Sequence, residues 1–417
     1  MVRKGFSYLT FVLLFVILFV PIFGAVDKVA THFLALSILS FILSAYLCFF
    51  TKKTDDTIWL YLKREPILIA NLIFLIWGSL SFFYSKNIPE YIIVLSEYSL
   101  YFISIILLIV IASINKLNVN YLILMPIAAL FIEECLLIIN FLELTSYKIF
   151  NNYEVGKLKG FSMNKNIASA SLLIKIPVIL YALSIKKKVV FDVILSVILI
   201  LGSGLIVLGS ARSIILGLLL VLILSVFLLV FLKNKKVIVL FVGLILVGIS
   251  SAYLINLNTD KNLVERIESI QNFENDQSSS QRLRYYKHGV NHILSNPIIG
   301  TGLGNWKIES IKYDNKNIIQ YIVPYNLHND FLEVGTELGI IGMILYLLIF
   351  ILIIRFLITS IRKTNNEKRK LLFFSILFCF SAYLVDANFN FPLARTEIQI
   401  NIIFLTSLML LIKYDKI

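Results

Sequence analysis

Charged residues are scarce in this sequence. Asp, Glu, Lys and Arg make up only 15% of the 417 residues, while hydrophobic residues make up 59% and the mean hydropathy is +0.89. Soluble globular domains contain about 45 to 50% apolar residues, so this composition excludes an ordinary soluble protein. The apolar residues form runs long enough to cross a bilayer, which predicts a polytopic membrane protein.

Cysteine is also scarce, with only three residues in the chain. Cys48, Cys135 and Cys379 are far apart, and each lies in an apolar run. This scatter fits neither a disulfide framework nor a metal site, and we interpret the three as packing residues. The sequence also lacks an internal repeat and a low-complexity tract.

Acidic residues are outnumbered, with 25 Asp and Glu against 38 Lys and Arg, and the net charge is +13. In a soluble protein this excess would suggest nucleic-acid binding. Here the basic residues cluster at the ends of apolar runs, as the positive-inside rule requires of cytoplasmic loops. We therefore expect membrane lipids as partners and no nucleic acid.

The apolar runs predict about twelve transmembrane helices with both termini in the cytoplasm. The first run follows Arg3 and Lys4 and reaches Phe23, where a poor cleavage site argues against a signal peptide. The other predicted spans are residues 29–50, 66–84, 91–113, 121–143, 166–185, 189–209, 213–232, 237–255, 338–360, 371–391 and 397–413. This arrangement places every basic cluster inside, including those at Lys52/Lys53, Lys186–Lys188, Lys233/Lys235/Lys236 and Arg362–Lys370.

The predicted architecture is all-α and GT-C-like. Residues 1–255 form transmembrane helices 1–9, residues 256–330 form one large extracytoplasmic loop with short amphipathic helices, and residues 331–417 form helices 10–12. Because lysines flank residues 189–232 on both sides, this region should be a tight hairpin whose turn, Gly209–Ser213, lies outside.

The stretch around His328 carries the strongest signal for a site. Asp330 and Glu333 predict a helix start, in which Asp330 caps the first turn, and the helix should continue for about 30 residues, or about 45 Å. His328 lies just before this N-terminus, where the helix dipole opposes protonation and leaves the imidazole available as a base. Taken alone, His328 is better explained as an interfacial histidine with a satisfied hydrogen bond. Gly335 and Gly339 should let a neighbouring helix approach closely.

Two further features lie on the same predicted face. Arg212 at an outer turn runs against the positive-inside bias, so it calls for an anionic partner, and lipid headgroups would serve as well as a substrate. Arg282 and Arg284 begin a basic amphipathic helix that alone could be a solvated charge run. The glycines of residues 297–306 could cradle a phosphate, but without a preceding strand a tight turn is the better interpretation.

Taken together, these residues resemble the O-antigen ligase and Wzy-type O-antigen polymerase superfamily of bacterial envelope enzymes. The matching motifs are Ser210-Ala-Arg212, Arg282-Leu-x-x-Tyr286 followed by Asn296-Pro-Ile-Ile-Gly300-Thr-Gly302-Leu-Gly304-Asn305, and His328-Asn-Asp-Phe-Leu-Glu333 up to Gly342. Weaker matches are Lys159–Asn166 and Asn390–Arg395. Tyr286 stands where such proteins often carry tryptophan. The similarity in span pattern covers nearly the whole chain.

The resemblance implies a glycosyltransferase that moves a glycan from undecaprenyl diphosphate to an acceptor hydroxyl at the periplasmic face of the inner membrane. The acceptor would be lipid A core for a ligase, another lipid-linked glycan for a polysaccharide polymerase, or a protein hydroxyl. His328 would be the base, with Arg212 and Arg282 stabilising the diphosphate. The residues that bind substrate would be Arg284, Asn329, Glu333, Lys159, Asn166 and Arg395.

Neither a metal nor another cofactor is expected, because the nearest approach to a carboxylate cage is Glu274-Asn-Asp276. A transporter or lipid flippase is the alternative of another class, since charged residues within predicted spans, such as Lys175 and Asp386, also fit a permease. Against that alternative, the polar residues are concentrated in one asymmetric outer loop.

Overall fold

The computed structural model describes residues 2–21, 29–50, 56–147, 158–162, 164–185, 188–233, 235–257, 277–318 and 325–414. Within these ranges the chain is helical and contains no β-strand. Several residues of the sequence-based predictions lie outside them, namely Lys52, Lys53, Lys186, Lys187, Glu274 and Asp276.

The described residues form α-helices along most of their length. In chain order they are α1 (Val2–Val16), α2 (Ala30–Phe50), α3 (Asp56–Arg64), α4 (Pro66–Leu80), α5 (Ile88–Asn115), α6 (Val119–Leu122), α7 (Leu124–Tyr147), α8 (Lys165–Ser184), α9 (Val189–Leu208), α10 (Arg212–Phe231), α11 (Lys235–Leu257), α12 (Gln277–Ser295), α13 (Trp306–Asp314), α14 (Asp330–Lys363), α15 (Glu367–Phe389) and α16 (Thr396–Lys413). The 3₁₀-helices Gly160–Ser162 and Pro392–Ala394 precede α8 and α16.

Eleven helices of the described chain are long and apolar enough to cross a membrane. They are α2, α4, α5, α7, α8, α9, α10, α11, α14, α15 and α16. The predicted all-α polytopic membrane fold is therefore confirmed. The apolar helix at Lys4–Phe19 is shorter than these eleven, so a first span there, and with it a total of twelve, stays a prediction.

Two helices occupy the centre of the bundle. Every residue of α8 from Ile167 onwards is buried, and α16 is buried from Thr396 to Ile412 except for the half-buried Ile402. The helix α8 packs against α7, α9 and α15, and α16 packs against α5. Outer helices instead expose large apolar side chains such as Phe41 and Val230, as expected of surfaces that face lipid.

The hairpin predicted from the flanking lysines consists of α9 and α10, joined by three residues. The connection passes through Ser210, whose φ of 51° is left-handed, and α10 then starts at Arg212. The short turn fixes Arg212 at the end of the bundle where α8, α14 and α16 begin, because Ser213 next to it contacts the loop after α15.

The helix α14 is interrupted, which corrects the prediction of one continuous helix. Gly339 has φ 70° and ψ −175° inside it, and Ile340 donates its amide hydrogen to the carbonyl oxygen of Pro297 at 2.8 Å. A Cβ atom on Gly339 would lie 2.1 Å from the carbonyl oxygen of Ile298, and one on Gly335 would lie 2.8 Å from Ile293. The predicted close neighbour is thus the end of α12 and the turn after it.

The glycine-rich turn of residues 297–304 is held by α14. Thr301 and Gly302 donate their amide hydrogens to the carbonyl oxygens of Thr336 and Glu337, at 2.9 and 2.8 Å. Those carbonyls are available because the interruption at Gly339 removes their helical partners. These two amides bind the protein itself and not a phosphate, in agreement with a tight turn.

Candidate functional site

The backbone at His328 is held in an unusual conformation. His328 has φ 57°, in the left-handed region, which costs energy for a residue with a Cβ atom. On one side, Glu333 Oε2 accepts a hydrogen bond from the Leu327 amide at 2.8 Å. On the other, the Tyr286 hydroxyl donates to the His328 carbonyl oxygen at 2.9 Å. Two side chains from α12 and α14 therefore hold the histidine in place.

The cap of α14 differs from the prediction. Asn329, and not Asp330, is the N-cap, and its side-chain oxygen accepts a hydrogen bond from the Leu332 amide at 3.0 Å. Asp330 is buried and accepts from the Leu393 amide at 3.0 Å. Glu333 does reach back as predicted, but to Leu327. The cap moves one residue because Asp330 is used to hold the loop before α16.

The imidazole of His328 is mostly buried and neutral at physiological pH. Burial, together with the positive charges of Arg282 and Arg395, lowers the pKa of His328 to about 4. Its Nδ1 atom is buried without a hydrogen-bond partner among the described residues. The prediction of a neutral imidazole agrees with this, although the causes are burial and two guanidiniums rather than the helix dipole.

A pocket with about 390 Å³ of empty space opens beside His328. We call it the histidine pocket; its lining residues are Asn164, Asn166, Ile167, His328, Asp386, Asn390, Phe391, Pro392, Arg395 and Ile398. The lining comes from the start of α8, the loop before α14, the end of α15 and the loop before α16. Four segments that are distant in sequence thus form one polar pocket at one end of the bundle.

Arg282 reaches the edge of this pocket, and Arg212 lies beside α12. Arg282 Nη2 donates to Asn390 Oδ1 at 3.4 Å, and Asn390 Nδ2 donates to Ser213 Oγ at 3.2 Å. Arg212 Nη1 donates to Ser279 Oγ at 3.5 Å, one turn before Arg282 on α12. Both arginines predicted to act together therefore lie at the start of α12, and Asn390 connects Arg282 to the pocket.

Arg395 and Asn166 lie in the pocket itself. The guanidinium of Arg395 stacks over the ring of Phe391, with 4.5 Å between Cζ and the ring centroid. The same ring meets the His328 imidazole edge to face at 5.0 Å. The Asn166 amide donates to Asn164 Oδ1 at 2.9 Å at the start of α8. Phe391 thus separates a cation from the neutral base.

Two predicted residues lie away from the histidine pocket. Arg284 forms an ion pair with the buried Asp314, with Nε 2.8 Å from Oδ1, because residues two apart on α12 point to different sides. Lys159 is exposed, and its amide contacts Asn140 Oδ1 at 3.3 Å. The structure therefore separates Arg284, which faces α13, from Arg282.

Asn329 and Glu333 support the backbone rather than line the pocket. Besides capping α14, Asn329 donates through Nδ2 to the carbonyl oxygen of Asn388 at 3.3 Å. Glu333 accepts from the Leu327 amide. Both were predicted to bind substrate, and both instead fix the loop that carries His328.

Asp386 and Asn390 belong to the pocket but were not among the predicted site residues. Asp386 Oδ1 accepts from Asn390 Nδ2 at 2.5 Å, and both side chains are buried. The available signals were a carboxylate in the apolar run of α15 and the motif Asn390–Arg395. Their place in the pocket follows from the packing of the start of α12 against the end of α15, which these sequence signals do not predict.

The histidine pocket combines a neutral base with fixed cations. A buried imidazole of lowered pKa can take a proton from a hydroxyl group, and guanidiniums bind phosphate oxygens in planar pairs. The pocket can therefore bind an oxyanion of phosphate next to a group that must lose a proton.

Comparison with known protein families identifies a similarity. The family model described as O-antigen ligase matches residues 197–347, a segment that begins in α9 and ends in α14 and includes Arg212, Arg282 and His328. No curated protein sequence matches the chain.

Proposed function

We propose that this chain, whose residues 197–347 match the O-antigen ligase family model, belongs to the O-antigen ligase and Wzy-type superfamily and transfers a glycan from a polyprenyl diphosphate to an acceptor hydroxyl. The acceptor is lipid A core, which makes the protein an O-antigen ligase of lipopolysaccharide biosynthesis. The single observation that carries the proposal is that His328 and Arg395 line one pocket, at the edge of which Arg282 contacts the lining residue Asn390. The family match supports glycan transfer in the membrane, and the pocket supports the choice of residues that carry it out.

In this mechanism His328 acts as the general base. The acceptor oxygen attacks the anomeric carbon of the donor sugar, its proton passes to the imidazole, and a new C–O bond forms. The burial that lowers the pKa of His328 keeps the imidazole unprotonated before the acceptor arrives. Tyr286 and Glu333 hold the loop at the position that this transfer needs.

Arg212 and Arg282 stabilise the leaving group. As the bond from the anomeric carbon to the diphosphate oxygen breaks, its electron pair leaves with the lipid diphosphate, and negative charge grows on the phosphate oxygens. Fixed guanidiniums bind this charge without further reorganisation. Attack from the face opposite the diphosphate inverts the anomeric centre, so the reaction needs no second carboxylate of the kind used by retaining glycosidases.

The proposed location is the bacterial inner membrane, with both termini in the cytoplasm and the histidine pocket at the periplasmic face. Basic clusters on the opposite end of the bundle support this orientation, because Lys233, Lys235 and Arg362–Lys370 all lie at the ends of α10, α11, α14 and α15 that are distant from His328. The carrier lipid, undecaprenyl diphosphate, would then present its headgroup to Arg282 from the outer leaflet.

The test is a transfer assay with purified protein in detergent. The donor is an oligosaccharide linked to polyprenyl diphosphate, and the acceptors are lipid A core, a second donor molecule and a hydroxyl-bearing protein. A single addition to lipid A core is expected, and His328→Ala should reduce the rate by at least about 100-fold through loss of the base. His288→Ala, a histidine next to Asp314 on the α13 side, should retain the wild-type rate.

The other outcomes would each replace the proposal. A ladder of lengthening lipid-linked products would indicate a Wzy-type polymerase, and glycan on the protein acceptor would indicate an O-oligosaccharyltransferase. Movement of the lipid-linked glycan across a liposome membrane without any transfer would indicate a transporter. An unchanged rate in His328→Ala would remove the histidine from the mechanism.

A further inference from the structure

A second pocket, with a mostly apolar lining and four polar residues, lies inside the helix bundle next to the histidine pocket. It has about 410 Å³ of empty space, and Glu133, Ser162, Ser171 and Glu397 are the polar residues that line it. Ile167 at the start of α8 lines both pockets. We call this second space the carboxylate pocket. It extends the site towards the interior of the bundle along one face of α8, on which Ile167 and Ser171 are one turn apart.

Glu397 is the most unusual residue of the carboxylate pocket. Its side chain is buried, and its Oε2 atom has no hydrogen-bond partner among the described residues. The Oε1 atom lies 3.5 Å from Nδ1 of His32, a buried histidine of α2. A buried carboxylate oxygen without a donor is costly. A ligand that donates hydrogen bonds in this pocket would satisfy it.

Glu133 forms the opposite wall and is held rigidly. Lys175 Nζ lies 3.1 and 2.9 Å from its two carboxylate oxygens, and Ser171 Oγ donates to Oε1 at 3.0 Å. Lys175 is fully buried in α8. This ion pair supplies the countercharge that a carboxylate inside an apolar bundle requires, and it fixes one hydrogen-bonding wall of the pocket.

The two adjoining pockets differ in the charged groups that they contain. The histidine pocket contains Arg395 and borders Arg282, which suits a diphosphate, and the acidic residue in its lining is the buried Asp386. The carboxylate pocket contains no arginine among its described lining residues, and its carboxylate oxygens accept hydrogen bonds from hydroxyl groups and repel phosphate. A ligand in the carboxylate pocket would be neutral and rich in hydroxyl groups. It would contact an anion bound in the histidine pocket. Sugars have this chemistry.

We propose that the carboxylate pocket binds a sugar residue of the acceptor through its hydroxyl groups. Glu397 Oε2 accepts one hydrogen bond from the sugar. Ser171 Oγ, which donates to Glu133 and accepts from Lys175, accepts a second one through its remaining lone pair. The bound sugar directs its remaining hydroxyl past Ile167 to His328. This inference rests on the transferase function proposed above and names the part of the protein that recognises the acceptor. Glu397 acts here as a binding residue and not as the base.

The test measures acceptor and donor kinetics separately in Glu397→Gln and Ser171→Ala. With lipid A core as acceptor, the KM for acceptor should rise about tenfold in each variant, because one hydrogen bond to the sugar is lost or reversed. The KM for the polyprenyl-diphosphate donor should stay at the wild-type value. Glu309→Gln, a carboxylate on α13 that pairs with Lys86 and Lys312, is the matched control and should change neither constant.

The outcomes distinguish this inference from the proposed function. In one outcome the wild-type protein transfers glycan, but both variants keep the wild-type KM for acceptor or lose kcat alone. The carboxylate pocket then does not bind the acceptor, and the proposed role of His328 as the base is unaffected. A rise in the donor KM alone would also overturn the assignment. If the wild-type protein transfers nothing to any acceptor, the proposed function itself fails. Should Glu397→Gln fail to fold, Ser171→Ala keeps the test decisive, with thermal unfolding as the check that the loss of this partner of Glu133 and Lys175 leaves the protein folded.

Discussion

At the scale of single residues, the chemistry depends on how the protein sets the proton affinity of one imidazole. Burial and the charges of Arg282 and Arg395 lower the pKa of His328 to about 4. A base with so low a pKa is always available but weak. Binding of an anionic diphosphate would offset the two positive charges, so the imidazole becomes a stronger base only when the donor is present.

The pH dependence of transfer should show this change. Because the folded-state pKa of His328 is lowered, the neutral form is present above about pH 4 and is lost as the pH falls through that value. The pH profile of kcat/KM for the donor, which reports the free enzyme, should therefore stay level down to about pH 5 and fall near pH 4. The profile of kcat, which reports the donor complex, should fall at a higher pH.

Tryptophan fluorescence over the same pH range would serve as the control for unfolding. A fall of kcat/KM near pH 6.5, the ordinary pKa of histidine, would mean that burial and the two arginines do not lower the pKa of His328 in the free enzyme.

The two arginines on α12 should differ sharply in mutants. Arg282→Lys should lower kcat about 10- to 100-fold, since an ammonium cannot bind two phosphate oxygens in one plane. Arg284→Lys should leave kcat nearly unchanged and reduce stability slightly, because Arg284 pairs with Asp314. Steady-state transfer rates and thermal unfolding of the purified variants provide the comparison. Equal kcat values in the two variants would contradict the assignment of Arg282.

Residues with distinctive chemistry were predictable from the sequence, whereas supporting roles were not. His328, Arg212 and Arg282 stand out because they are rare types in an apolar chain. Asn329, Glu333 and Arg284 share their motifs, but whether such residues line a pocket or hold the backbone depends on side-chain direction in three dimensions. The roles of Asp386 and Asn390 depend on the packing of α12 against the loop after α15, a contact between residues distant in sequence.

At the scale of elements, the interruption of α14 links the site to the rest of the loop. Gly339 frees two carbonyl groups of the first segment, which then accept the amides of Thr301 and Gly302. Sequence periodicity predicted α14 as one helix because the apolar pattern continues through Gly339. A single glycine does not reveal whether it serves close packing or a left-handed backbone, so the break could not be predicted.

Substitution at Gly339 should destabilise this arrangement. In Gly339→Ala the new Cβ atom would lie 2.1 Å from the carbonyl oxygen of Ile298, at a φ of +70°, and the cost should be at least about 1 to 3 kcal/mol. Thermal unfolding in detergent should show a lower midpoint than wild type. Gly243→Ala in α11, where nothing lies within 4 Å of the added atom, should be neutral or stabilising. Equal midpoints for both variants would contradict the account of the interruption.

At the scale of the whole molecule, hydropathy predicted the membrane fold because each span is a separate run of apolar residues. Eleven helices of the described chain meet that criterion. Hydropathy could not predict which helices are central, since α8 and α16 are no more apolar than the outer helices. Their burial follows from the polar residues that they carry inward, such as Lys175 and Glu397, which lipid would not accommodate.

One hydroxyl group connects three parts of this molecule. The oxygen of Tyr286 lies 2.9 Å from the His328 carbonyl oxygen and 3.0 Å from that of Asn388, yet a phenol has a single hydrogen to give. The loop that carries His328 and the last turn of α15 therefore share one attachment to α12. Any shift of the last turn of α15 changes how firmly this hydroxyl holds the imidazole loop.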